Sequence, residues 1–460
     1  MITKYKRFNL LFSSCLILGT ILCSANSFAQ MQKLKIADNH RFLIKEDGNP
    51  FVWIGETNWF FAKLPPDTID SILNTRSTQG FTIMFVSCRE KLYNGKGPGS
   101  INNPNEAWWS YLDEYIAKCE QRDLYVGITL GWYGVVKGNS EADLYNYGKW
   151  VGNRYKDNNN IIWLTLGEAG SHYRKDTLPD NKINALVNGI RDGDTGDKLL
   201  TVHADYKRGT SISNDGEISD FNNWQTSQWC CPDNLPRKDE REWKVWEAIQ
   251  FDYNKMYNGK PKPTLDSEAW YENNKDFCGA NSFNIRIRAY FTIFAGAFGH
   301  TYGAGGIWDG LDSNEGCSHK ALDALHYPGA QHMGYISNFL HSLGDDFLKL
   351  RPDQSVITAG NSNSYDTHLQ ATMAYDNSYA LIYSASDATY TVNLSKLSGR
   401  TISGIWYNPR TNEYQTEKSI RIANKRKIQK FDPPGELGAG NDWVLILGDV
   451  ETINNYIIDN

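Results

Sequence analysis

Short apolar runs alternate with longer amphipathic stretches from residue 51 to about residue 345. "FVWIGE" (51–56) precedes "PPDTIDSILNTRSTQG", which has Pro and Asp at a helix start and Gly80 at its end. "FTIMFVSC" (81–88) precedes "EAWWSYLDEYIAKCEQRD", where Trp108, Leu112, Tyr115, Ile116 and Cys119 recur at helical spacing. "LYVGITLGW" (124–132) leads to "EADLYNYGKWVGNRYKD", and "IIWLTLGE" (161–168) to "DNKINALVNGIRDGD". "LLTVHA" (199–204), "DFNNWQTSQ" (220–228), "PTLDSEAWY" (263–271) and "GHTYGAGG" (299–306) complete eight strand-then-helix units. Strands apolar on both faces and joined by helices predict a parallel sheet, and eight of them predict a (β/α)8 TIM barrel over 30–350. The competing topology is an open doubly wound sheet. It would want a nucleotide loop, and "GKGPGS" near residue 95 neither follows a strand closely nor opens a helix.

Beyond "RPDQSVI" the pattern changes to short alternating strands with turns, such as "LQATMAYDNSYALIYSAS", "TYTVNL" and "DWVLIL". This predicts a small all-β antiparallel sandwich over 351–460, so the chain is α/β with a second, all-β domain. Residues 1–29 stand apart from both. Lys4, Lys6 and Arg7 precede an apolar stretch that ends in Ser27, Phe28 and Ala29, the form of a signal peptide cleaved near Ala29. Cys23 offers a lipoprotein reading, but Thr20, Ile21 and Leu22 before it match that poorly. The expectation is therefore an exported protein, whether periplasmic, cell-surface or secreted, with no membrane span.

Loss of the leader removes three positive charges and no acid, which takes the formal charge from −6 to −9. Nucleic acid is excluded as a partner on that balance, since phosphate neutralisation needs a basic face. Six cysteines remain, Cys88, Cys119, Cys230, Cys231, Cys278 and Cys317, and no pairing among them is assigned. Adjacent Cys230 and Cys231 read as loop residues. Spacings of the CxxC or HExxH kind are absent, so neither metal nor other cofactor is expected.

Fifteen Trp and 26 Tyr change the picture more. Each carries a polar handle that wants a partner or water, and their flat faces stack on sugar rings. An oligosaccharide or polysaccharide partner fits that density, and so does an aromatic-rich secreted protein of another kind. Two carboxylates sharpen the choice. Glu168 ends the fourth strand and Glu268 the seventh. In a barrel, strand ends on the carboxyl side form the active site, and strands four and seven face each other across its mouth. Glycoside hydrolysis needs such a pair, one group to protonate the leaving oxygen and one to attack the anomeric carbon or activate water. A Glu at the end of a dry strand is also where a general acid can be kept protonated. The alternative is that each Glu pairs with an Arg or caps the next helix. Asp266 and Glu272 flank Glu268 as weaker candidates, and Arg89 just beyond strand two would orient a sugar group or form a loop salt bridge.

The ordered stretches "FVWIGETNWFF", "STQGFTIMFVSC", "YGKWVGNRYKDNNNIIWLTLGE", "TVHADYKRGTS", "PTLDSEAWYE", "RAYFTIFAGAFGHTYGAGGIWD", "YPGAQHMGYISNFLHS" and "LRPDQSVI" resemble the apiosidase-like glycoside hydrolases (DUF4038, family 140). The resemblance spans nearly the whole barrel and implies a glycan-cleaving enzyme, the best-known activity being release of apiose from a complex pectin. It implies Glu168 as acid/base and Glu268 as nucleophile, with Glu56, Trp59, His203, Tyr271, His300, Tyr302 and Trp308 lining the pocket. Where many members have Gly-Gly-Asp, this chain has Leu166, Gly167 and Glu168, which moves the acid by about one methylene, a scale to which pocket fit is sensitive. His203, His300 and Tyr302 are equally consistent with core packing. A non-catalytic glycan-binding protein and an endo-acting glycanase of different linkage specificity remain as alternatives.

Overall fold

The computed structural model describes residues 30–168, 180–196, 198–204, 209–212, 215–226, 244–274, 280–312, 319–423, 428–436, 438 and 440–449. The leader with its cleavage site near Ala29, and Cys230, Cys231, Cys278 and Cys317, lie outside the described residues. Among those described, no helix is long and apolar enough to cross a membrane.

Parallel strands Trp53–Thr57, Ile83–Ser87, Tyr125–Trp132 and Ile161–Gly167 pair in chain order, as do Asn222–Gln225, Thr264–Glu268 and Gly299–Ala304, and the last returns to pair with the first. Between the two groups the expected fifth strand is an extended segment, 199–203, tied in by a single bridge between Trp163 and Leu200. Its ladder is incomplete because side chains take the place of backbone partners: Leu200 N donates to Asp220, Val202 N to Ser219 Oγ and Ala204 N to Asn223 Oδ1. Asp220 N donates to Leu200 O at 2.7 Å, which carries the ring from position five to position six. The curled sheet is thus a TIM-like barrel, as expected from the alternation. Its floor is aromatic, with Trp53 edge-on to Phe85, Phe221 and Phe298 at 5.7–6.0 Å.

Helices Glu141–Tyr155 and Asp180–Asp194 flank strand four and approach closely at glycines. A Cβ on Gly148 or Gly152 would stand 2.4 or 2.6 Å from a carbonyl oxygen of the other helix, and Gly189 and Gly193 answer from that side at 2.1 and 2.4 Å. Only a hydrogen atom fits there. Ser140 and Asp143 close a capping box at the start of the first of these helices.

The C-terminal region forms a six-stranded antiparallel sheet (350–352, 369–374, 379–384, 443–449, 401–408, 413–423) and a three-stranded one (357–359, 390–393, 428–431). Alternate residues of the large sheet serve different cores. Leu381, Tyr383, Ile405 and Tyr407 join the barrel's core, whereas Ala380, Ile382, Trp406 and Leu445 pack toward the small sheet. At the first of these interfaces Tyr290 and Tyr383 stack with centroids 4.5 Å apart. Beside them lies a buried ion pair, with Arg286 Nη2 2.5 Å from Asp442 Oδ1 and Nε 2.7 Å from Oδ2, and the Tyr383 hydroxyl also donates to Asp442. Because removal of one partner strands a buried charge, Asp442→Ala is expected to cost about 3–5 kcal/mol. The check is the urea midpoint at unchanged slope.

Asp252, near the end of helix Val245–Asn254, is fully buried against the Ser211 hydroxyl and the Trp224 indole. Desolvation raises its carboxyl to about 7, opposed by those hydrogen bonds. A folded-state value above the unfolded one means the native state binds the proton more tightly, so this stabilising contribution is present below the unfolded value and is lost as pH rises through about 7. Asp252→Asn is expected to flatten the pH dependence of unfolding between about pH 4 and 7, where the wild type declines by up to roughly 4 kcal/mol. Denaturation at several pH values reads this directly.

Candidate active site

Glu268 closes strand seven and is 4% exposed. Its Oε1 accepts from the Trp59 indole Nε1 at 3.3 Å and from the Tyr271 hydroxyl, and Trp59 Nε1 also lies 2.9 Å from that hydroxyl. Burial, then the charge of Glu268, holds the Tyr271 phenol well above its ordinary range, so it stays a proton donor. His203 Nε2 stands 3.2 Å from Glu268 Oε2, and its ring meets Trp59 edge-on at 5.2 Å. Four predicted site residues from barrel positions one, five and seven are therefore one cluster.

Glu168 follows strand four, half-buried, and lines a cavity of about 930 Å³ with Cys88, Arg89, Lys96, Glu106 and Trp132. The Arg89 guanidinium lies 5.5 Å from the Trp132 ring and 5.6 Å from that of Phe60, and it pairs with Glu90 at 3.4 Å. Trp308 packs on both Phe60 (5.7 Å) and Tyr271 (5.4 Å). Trp132 links the two halves: it meets Trp59 edge-on at 5.6 Å and lies so close over Gly167 that a Cβ there would be 2.5 Å from its Cε2. Sequence reasoning missed Trp132. The signal was its place at the end of strand three, where "TLGW" parallels the "TLGE" that ends in Glu168, and in the ladder Trp132 pairs with Gly167.

Three predicted pocket residues sit elsewhere. Glu56, His300 and Tyr302 are at most 1% exposed and occupy the layer between sheet and helices. Glu56 is 2.5 Å from Arg76 Nε of helix Pro66–Thr78. Tyr302 donates to Glu272, which also accepts from the Gly329 amide. Burial raises the Glu272 carboxyl, partly offset by these two donors. His300 Nδ1 lies 3.2 Å from Thr292 Oγ1 and 3.1 Å from Asp266 Oδ2, which accounts for the other weaker candidate. Alternation put His300 and Tyr302 on one face correctly, but that face is the outer one. Gly299, Thr301 and Gly303 occupy the alternate positions, and Thr301 Oγ1 accepts from Trp53 of the barrel floor.

Cys88 and Cys119 are free and buried, and burial pushes both thiols up. Among the described residues no group of three His, Cys, Asp or Glu side chains is placed to hold a metal ion.

Residues 351–448 match the domain described as "Putative collagen-binding domain of a collagenase". A solved "Glycoside hydrolase" superposes with a TM-score of 0.81 at 26% identity, covering 91% of this chain and 97% of that one. A family 5 glycoside hydrolase from Bacteroides vulgatus gives 0.81 at 28% identity, covering 91% and 93%. A family 39 glycoside hydrolase from Bacteroides cellulosilyticus shares the fold at 10% identity, with a TM-score of 0.53 over 90% of this chain and 82% of that one. None of the curated proteins compared matches the chain. Residues 37–345, which include both strand-end glutamates and the Trp59–Trp132 wall between them, match the "Apiosidase-like, catalytic domain", and the chain belongs to that family of glycoside hydrolases.

Proposed function

We propose that the protein is an exported enzyme cleaving a glycosidic bond in a plant-type or other complex polysaccharide by a two-carboxylate, retaining mechanism, with Glu268 as nucleophile and Glu168 as acid/base. One observation carries the reading: Glu268 is fixed by the Trp59 and Tyr271 donors, and Trp59 packs on the Trp132 that walls the Glu168 cavity. In the first step a Glu268 oxygen attacks the anomeric carbon while Glu168 gives its proton to the departing oxygen. In the second, Glu168 takes a proton from water, which attacks the glycosyl-enzyme ester and frees Glu268. Neither step calls for a cofactor. Trp132 and Trp308, both partly exposed, offer faces and edges to the sugar rings. Removal of a terminal sugar, as in an apiosidase-like exo-enzyme, is the favoured mode. Export rests on the form of residues 1–29, and the sandwich is assigned a structural part because one face of its large sheet completes the barrel's core.

The test is a panel of pectic and other plant-derived oligosaccharides read by product analysis, with the product anomer followed by NMR at early times. Release of a sugar with its configuration retained is expected, as for carboxyl groups about 5–5.5 Å apart. An inverted product would make Glu268 a base rather than a nucleophile. Binding without cleavage of any member would leave a glycan-binding protein.

A further inference from the structure

Strand four does not run straight to Glu168. Opposite strand three, Ile128 pairs with Trp163 but Thr129 pairs with Thr165, so strand four carries one extra residue there, and strand three answers with one of its own before Trp132 pairs with Gly167. On the other side Thr201 N donates to Trp163 O in ordinary register, while the His203 amide is shared between Leu164 O at 3.0 Å and Leu166 O at 3.1 Å. Both neighbours thus report the same bulge. Within it Thr165 has φ 52°, a left-handed backbone that a β-branched residue rarely adopts, and Glu168 has φ 51°. The Thr165 side chain is fully buried and its hydroxyl donates to Thr201 O at 3.1 Å.

We propose that Thr165 is a positioning residue whose hydroxyl tether to Thr201 locks this bulge and thereby aims Glu168. The inference rests on the acid/base assignment made above for Glu168. A bulge beside an active site re-aims the side chain beyond it, and backbone strain persists only where the surroundings over-determine it. Here they do so through the segment that also carries His203, whose amide clasps the bulge while its imidazole faces Glu268. A slip of one residue would turn Glu168 to the opposite face of the strand. Glycine would take this backbone without strain and valine would fill the space, but neither carries the hydroxyl that donates to Thr201 O.

The test compares Thr165→Val, Thr165→Gly and Thr165→Ser with wild type in the full-length protein. Two substrates are used: the oligosaccharide cleaved in the panel, and the 2,4-dinitrophenyl glycoside of the sugar it releases. The dinitrophenolate departs without a proton, so kcat/KM on that substrate does not need an aimed acid. Thr165→Val and Thr165→Gly are expected to lose roughly 10- to 100-fold in kcat on the oligosaccharide with little change in KM. On the aryl glycoside they should keep kcat/KM within about twofold of wild type, and Thr165→Ser should behave as wild type on both. Thr165→Gly accepts the left-handed angle, so it keeps the comparison available if the valine variant does not fold. Equal losses on the two substrates, or wild-type rates from both the valine and glycine variants while Glu168→Ala is impaired, would overturn the proposal. A wild type that cleaves no glycoside overturns the assignment of Glu168 as well.

Discussion

Glu268→Gln is expected to lower kcat/KM on the cleaved oligosaccharide at least about 10⁴-fold, because an amide of the same shape can neither attack the anomeric carbon nor carry the charge that balances the transition state. The substitution changes no volume. Its carbonyl oxygen can still accept from Trp59 and Tyr271, so the cluster around it has no cause to collapse. One charge fewer among buried groups also removes a desolvation cost, and the thermal midpoint should stay level or rise. Initial rates and a melting curve on the same preparation separate chemistry from folding. Undiminished turnover would remove Glu268 from its role.

Glu168→Ala is expected to lose about 10²–10⁴-fold on the same oligosaccharide, the usual worth of a general acid acting on a poor leaving group. The loss should shrink on the dinitrophenyl glycoside, and there the slow step becomes attack by water, which the missing base no longer activates. Azide needs no base. Added to the reaction, it should displace Glu268 from the glycosyl-enzyme ester and yield a glycosyl azide of retained configuration, restoring turnover. Formation of that product identifies both the role of Glu168 and the two-step course. An inverted azide, or none with equal losses on both substrates, would contradict it.

Much of this architecture is legible in the chain. Apolar runs punctuated by Gly and Asp at helix starts and stops mark the alternation, and two runs ending in Glu mark the strand ends on which the proposed mechanism rests. Other features were hidden for specific physical reasons. A parallel strand is apolar on both faces, so period two groups His300 with Tyr302 without saying whether they face the axis or the helices. The bulge at Thr165 is silent because "IIWLTLG" reads as one dry run whatever its register. Strand five looked regular because "LLTVHA" has a strand's composition, and the side chains that interrupt its ladder, Ser219, Asp220 and Asn223, come some twenty residues later. Trp132 was one of fifteen tryptophans, and its strand-end position gained meaning with its contacts to Gly167 and Trp59.

The charge pair joining Arg286 to Asp442 has a bearing on how such chains can be rearranged. Arg286 sits in a helix of the catalytic half and reaches its counter-ion across a seam where tyrosines from both halves lie ring on ring. Excising the trailing module would strip Arg286 of its counter-ion and open the tyrosine seam to water, and grafting that module onto a foreign barrel would import a carboxylate with no mate. The two halves are therefore better treated as one inherited piece than as cassettes to be recombined.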